Sequence, residues 1–157
     1  MMRPTWNEYF IGLSYYISCR SHDSETHVGC VLVENNRVVG VGYNGFPSDM
    51  DDSELPTTRP LKYHFMVHAE ENAVSNIVIN SFSPKTAYIT HLPCGRCAKL
   101  LWQNNIKEWY VPKEATVNSH SINDEIVYTL LKSRGLKVNL LNTNKDDVRD
   151  MICKNLQ

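Results

Sequence analysis

No apolar run in this sequence is long enough to cross a bilayer, and its polar-flanked start carries a proline at position 4. Neither a membrane span nor a secretory leader is expected. There is no basic surplus either: 16 Lys and Arg stand against 17 Asp and Glu, a formal net charge of −1. Proteins that grip a nucleic-acid backbone normally carry such a surplus, so no nucleic-acid partner is expected. A small anionic substrate needs only a few local cations. Internal repeats, low-complexity tracts and linkers are also lacking. The 157 residues therefore read as one domain over 1–157, built around one core.

Cysteine is present, but not in a disulfide pattern. The five are Cys19, Cys30, Cys94, Cys97 and Cys153. An odd number without a leader implies reduced thiols and a cytoplasmic setting. There, a Cys-x-x-Cys pair points to metal or redox chemistry.

Apolar spacings of three and four predict a helix from Pro4 to about Ser21. Val28–Glu34 and Val38–Tyr43 are β-branched runs separated by Asn35-Asn36-Arg37, which predicts a hairpin. Asn44 to Met66 is a long polar connection holding Pro47, Pro56 and Pro60; such lengths are more often functional than idle. Helices are expected at His68 to Ile79, Cys94 to Gln103, Ile122 to Ser133 (closed by Gly135) and Lys145 to Asn155. Strands are expected at Thr86–Thr90, Glu108–Val111 and Leu136–Leu141. A hairpin followed by alternating helices and strands predicts an α/β fold on a mixed sheet covered by helices.

The chemistry concentrates in His68-Ala69-Glu70 and Pro93-Cys94-Gly95-Arg96-Cys97. His68, Cys94 and Cys97 each open an expected helix, where free N–H groups and the helix dipole favour thiolate over thiol. One imidazole and two thiolates suit Zn2+ and leave a fourth position for water. Glu70 is the natural base. Residues i and i+2 do not share a helix face, so His68 and Glu70 can serve one site only if the helix begins near His68, with Glu70 in its first turn. The reaction expected is hydrolytic: Glu70 takes a proton from water, an amine-bearing ring carbon is attacked, and ammonia leaves.

Plainer readings stand beside this one. His91 would complete a structural zinc site. Cys19, His22, His27 and Cys30 could hold a second metal, or be buried thiols with surface histidines between them. Arg59 and Lys62 could meet a phosphate or be solvated loop charges. Glu71 is expected to point outward or to lie at an interface. Trp6, Trp102 and Trp109 read as core or interface.

The ordered pair of motifs is the signature of the zinc deaminases. The chain further resembles the cytidine/deoxycytidylate deaminase family, in its deoxycytidylate branch. The matching pieces are Thr26-His27-Val28-Gly29-Cys30-Val31, Gly42-Tyr43-Asn44-Gly45-Phe46-Pro47, Leu61-Lys62-Tyr63, Val67 to Ala73, Cys94 to Lys99 and Asn105 to Glu108, together spanning roughly residues 5 to 112. The resemblance implies a cytidine-deaminase-like three-layer α/β/α sandwich with a central five-stranded mixed sheet. It implies hydrolysis of dCMP to dUMP, supplying thymidylate synthesis. It also implies substrate contacts from Asn44 and the Ala69 backbone, and a 5′-phosphate site near Ser24, Thr26 and His27. By the same resemblance the chain forms a homo-oligomer, a hexamer, with dCTP and dTTP as effectors near Gly42, Tyr43, Asn44 and Gly45, and Mg2+ accompanying the effector. Where many members carry a Tyr-His-Asp-like segment over the phosphate, this chain reads Ala115-Thr116-Val117-Asn118-Ser119-His120. CMP, a 5-substituted dCMP, tRNA adenosine and a non-catalytic regulatory role remain the alternatives. A free cytidine deaminase usually has Cys where His68 stands.

Overall fold

The computed structural model describes residues 3–79, 82–116 and 122–156. The first helix, α1, runs Trp6–Ser18 and is shorter at both ends than its apolar spacing predicts. Its start is set by a reciprocal cap: the Glu8 N–H donates to Thr5 Oγ1 at 3.3 Å, and the Thr5 N–H to the Glu8 carboxylate at 2.7 Å.

Strands β1 (Gly29–Glu34) and β2 (Arg37–Tyr43) form the expected hairpin. Asn35 and Asn36 both adopt left-handed backbone, with φ of 51° and 59°, as a two-residue turn matched to strand twist requires. After the long connection come α2 (Ala69–Ser75), β3 (Lys85–Ile89), α3 (Gly95–Gln103), β4 (Ile106–Pro112), α4 (Ile122–Ser133), β5 (Lys137–Leu141) and α5 (Lys145–Asn155). Helix α2 stops at Ser75, four residues before its expected end. Gly135, at φ 104°, follows α4 in the left-handed conformation that glycine adopts at low cost.

The sheet order is β2-β1-β3-β4-β5. Strand β1 is antiparallel to both β2 and β3, while β3, β4 and β5 run parallel, so the sheet is mixed. Burial on both faces explains why β1 reads as a continuous apolar run. Val31 and Val33 join Phe10 and Ile11 of α1 on one face, whereas Cys30 and Leu32 join Ala73, Ala98 and Leu101 on the other. Helix α5 packs on α1, where Val148 Cγ1 lies against Gly12. The result is the three-layer arrangement, with α1 and α5 on one side and α2, α3 and α4 on the other.

Gly42 is what lets β2 lie directly against α2. A Cβ there would fall 2.2 Å from the Ala69 carbonyl oxygen and 2.3 Å from the Ala73 nitrogen. Among the described residues, no helix is long and apolar enough to cross a membrane.

Candidate zinc site and substrate cleft

The two key helices begin on the same side of the sheet, and each is preceded by a candidate ligand in extended conformation. His68 caps α2 with φ −74° and ψ 156°; Cys94 caps α3 with φ −67° and ψ 165°. This satisfies the geometric condition set by the i, i+2 spacing: His68 lies at the helix edge and Glu70 in the first turn. His68 Nδ1 is 3.6 Å from Cys94 Sγ and 3.3 Å from Cys97 Sγ. The three donor atoms all lie within 4.8 Å of one another. One imidazole and two sulfurs converging at this spacing fit a tetrahedral zinc ion with one position left for a small ligand.

No fourth His, Cys, Asp or Glu joins this group among the described residues. His91 lines the nearby cleft, but its Nδ1 lies 3.1 Å from Thr90 Oγ1. Cys19, His22, His27 and Cys30 form no such group among the described residues either; Cys30 is buried while Cys19 is exposed.

Three supports escaped the sequence reading. Glu71, expected to point outward or to lie at an interface, turns back on its own helix start: its Oε2 accepts the His68 N–H at 2.9 Å, and its other oxygen pairs with Arg96. A Glu three residues after a helix cap was the available signal. Asp124 accepts the Gly95 N–H at 2.6 Å, and the Tyr128 hydroxyl donates to the Pro93 carbonyl at 2.8 Å. Both hold the Pro93-Cys94-Gly95 turn from α4, which lies about thirty residues downstream and gives no local signal.

The donor set is electrostatically linked. A hydrogen bond from Cys97 pulls the Cys94 thiol down to about 4 against burial, with further help from His68. The same pairing, and then burial, raises Cys97. The hydrogen bond to Cys94 raises the His68 imidazole. Glu70 is 4% exposed, and burial pushes its carboxyl up to about 7, partly opposed by its own backbone N–H and by His68.

A cleft of about 180 Å³ opens onto His68, Glu70 and Cys94, walled by Thr26, Asn44 and Ala69. Ser24 and His27 lie outside it, along an adjacent cavity that shares Thr26, Arg59 and His91 with the cleft. The Ser24 hydroxyl is bonded to Thr57, and His27 Nε2 lies 2.8 Å from the Asp23 carbonyl. Of the expected effector stretch, Gly42 is packed on α2, Tyr43 lies under the Arg20 guanidinium, Asn44 faces the cleft, and Gly45 bridges to Val67. Residues 117–121, where the chain departs from the family pattern, lie outside the described residues.

Lys62 is not a solvated loop charge. It is 3% exposed, with Nζ 2.8 Å from each Asp23 oxygen and 3.1 Å from Glu25. Burial would raise the Asp23 carboxyl, but Lys62 and the N–H groups of Glu25 and Thr26 outweigh it and hold it below its usual range. Arg59, half-exposed at the cleft rim, contacts the Tyr63 hydroxyl at 2.7 Å and Thr26 Oγ1 at 3.0 Å.

A three-layer fold with a His/Cys/Cys donor set beside a buried glutamate defines the class: an α/β/α domain with a candidate zinc site. Residues 4–113 match the family described as the cytidine and deoxycytidylate deaminase zinc-binding region, and the chain belongs to that family. It is 37% identical to human deoxycytidylate deaminase over 110 residues, which is 66% of this chain and 62% of the human one. It is 32% identical to deoxycytidylate deaminase of Mycobacterium phage D29, over 73% of this chain and 100% of the phage protein. The dCMP deaminase of cyanophage S-TIM5, solved in complex with dCMP and dUMP, superposes with a TM-score of 0.70 at 27% identity, covering 90% of this chain and 100% of that one.

Proposed function

We propose that residues 1–157 form one deaminase unit that converts dCMP and water to dUMP and ammonia. The observation that carries the reading is Glu70, buried at the wall of the cleft of about 180 Å³ next to the His68, Cys94 and Cys97 donors. The likeness to the human and phage deoxycytidylate deaminases supports dCMP among the pyrimidine nucleotides.

His68, Cys94 and Cys97 would hold Zn2+, which, when bound, supplies Lewis acidity that makes water a nucleophile near neutral pH. Glu70 takes a proton from the attacking water and delivers it to the ring nitrogen. It then takes the remaining proton from the hydroxyl added to the ring carbon and passes it to the amine, so that the carbon–nitrogen bond breaks, the carbonyl forms and ammonia leaves. The first-turn N–H of Ala69 meets the pyrimidine edge. Arg59 is the rim cation with exposure to spare for a 5′-phosphate, since Lys62 is committed to Asp23 and Glu25. Assembly as a homo-oligomer, with dCTP and dTTP as effectors and Mg2+ on the triphosphate, is supported by the family resemblance and completes the proposal.

Ammonia release from the zinc-loaded protein, measured separately with dCMP, CMP, dCTP and deoxycytidine, tests the substrate. Turnover is expected with dCMP foremost, and none with any pyrimidine would overturn the reading. Glu70→Gln should retain zinc and lose turnover; an active variant would remove Glu70 from proton transfer.

A further inference from the structure

We infer that the buried Lys62–Asp23 ion pair is a positioning device for Asn44: it locks the carboxamide so that only its oxygen is left to meet the substrate. The substrate must then present a hydrogen-bond donor at that point. This rests on the deoxycytidylate reading above.

The hydrogen bonds of Asn44 decide its orientation. Its Oδ1 accepts the Val28 N–H at 2.8 Å. Its Nδ2 donates to the Thr26 carbonyl at 2.9 Å and to Asp23 Oδ2 at 3.2 Å. Both amide hydrogens are thereby used, and one lone pair on Oδ1 remains. A flipped amide would set its oxygen against a carbonyl and a carboxylate, and its NH2 against the Val28 N–H.

That orientation holds only while Asp23 is a fixed carboxylate. Its Oδ1 also accepts the N–H groups of Glu25 and Thr26 at 2.8 and 3.0 Å, and Lys62 Nζ lies 2.8 Å from each of the two oxygens, including the Oδ2 that meets Asn44. The Lys62 and Asp23 side chains are 4% and 3% exposed. An unpaired carboxylate so placed would be strongly disfavoured, so the lysine keeps the acceptor charged and in place. Asp23, Asn44 and Lys62 line the cleft that also holds Glu70. With the amine of a pyrimidine deoxynucleotide directed at Glu70, the donor elsewhere on the molecule is the sugar hydroxyl.

The experiment compares kcat/KM for dCMP and 2′,3′-dideoxyCMP in wild type, Asn44→Ala and Asp23→Asn, with zinc content and thermal melting measured on each. Wild type should prefer dCMP by about ten- to hundred-fold, the scale of leaving a buried acceptor unpaired. Asn44→Ala should abolish the preference. Asp23→Asn leaves Lys62 its Glu25 partner at 3.1 Å. It should keep zinc and fold yet narrow the preference severalfold, chiefly through KM. If Asp23→Asn does not fold, Asp23→Asn with Lys62→Met replaces the pair by neutral groups and should narrow it likewise. A folded, zinc-loaded variant with the wild-type preference overturns the inference, as does a wild type that uses both nucleotides equally; the latter leaves the deaminase reading intact. Failure of wild type to deaminate either nucleotide overturns that reading and the inference with it.

Discussion

At the scale of single residues, two positions bear more than their chemistry suggests. Gly42 lies under α2 so closely that any Cβ would enter the Ala69 carbonyl. Overpacking of this kind against backbone rather than a flexible side chain has no inexpensive relief, and typical costs are about 1–3 kcal/mol. Gly42→Ala should lower the urea midpoint accordingly and, because α2 carries His68 at its cap, weaken zinc retention; an unchanged midpoint would contradict the packing. Asp23 gives a pH-dependent counterpart. Lys62, Glu25 and Arg59 surround it, and its carboxyl is held below its usual range. A depressed carboxyl contributes stability above the ordinary aspartate value of about 3.9 and loses it as pH falls through the lowered value. The stability gap between wild type and Asp23→Asn, read by urea unfolding, should therefore narrow on acidification through that window. A gap that is constant with pH would mean that the ion pair contributes nothing.

Elements place these residues, and two helix starts carry most of the site. Both ligand-bearing caps use extended backbone, and Glu71 closes the first by accepting the His68 N–H while holding Arg96 of α3. Glu71→Ala removes a cap and the link between the helices. A stability loss of about 1 kcal/mol is expected, with zinc affinity roughly 10–100-fold weaker in chelator competition. Equal chelator resistance would show that the cap does not orient the ligand. These starts were legible in the sequence, because the i, i+2 spacing of His68 and Glu70 admits only one helix phase. The hairpin was legible through Asn35 and Asn36, and the buried strands through their β-branched runs. Less was legible wherever the partner is distant. Lys62 gave no sign of burial, because its counter-charge Asp23 is 39 residues away. Asp124 and Tyr128 support the Cys94 turn from α4, and no local pattern announces a bond across that separation. The early end of α2 also escaped: Ile77 and Val78 continue the apolar pattern, but the chain there leaves the helix and the Val78 N–H donates to the β2 residue Val39.

Across the whole molecule, the donor set joins parts of the chain that the sheet separates. His68 follows the long connection and Cys94 follows β3, so bound zinc would tie the starts of α2 and α3 together over one face of the sheet. These ligands come into register only when β1, β2 and β3 are paired, and a metal bound to that arrangement favours the folded state over the unfolded chain. At a free-ion concentration about 100 times the dissociation constant the linkage amounts to roughly 2.7 kcal/mol. For a domain of this size that corresponds to a melting shift of roughly 5–10 °C. Chelation with EDTA should lower the melting temperature by about this amount, and added zinc should restore it. Cys97→Ser, lacking one buried thiolate, should melt near the chelated protein and respond little to either treatment. A wild type whose melting ignores chelation despite measured zinc loss would mean that the preformed hydrogen bonds among His68, Cys94 and Cys97 hold the two helix starts without the metal.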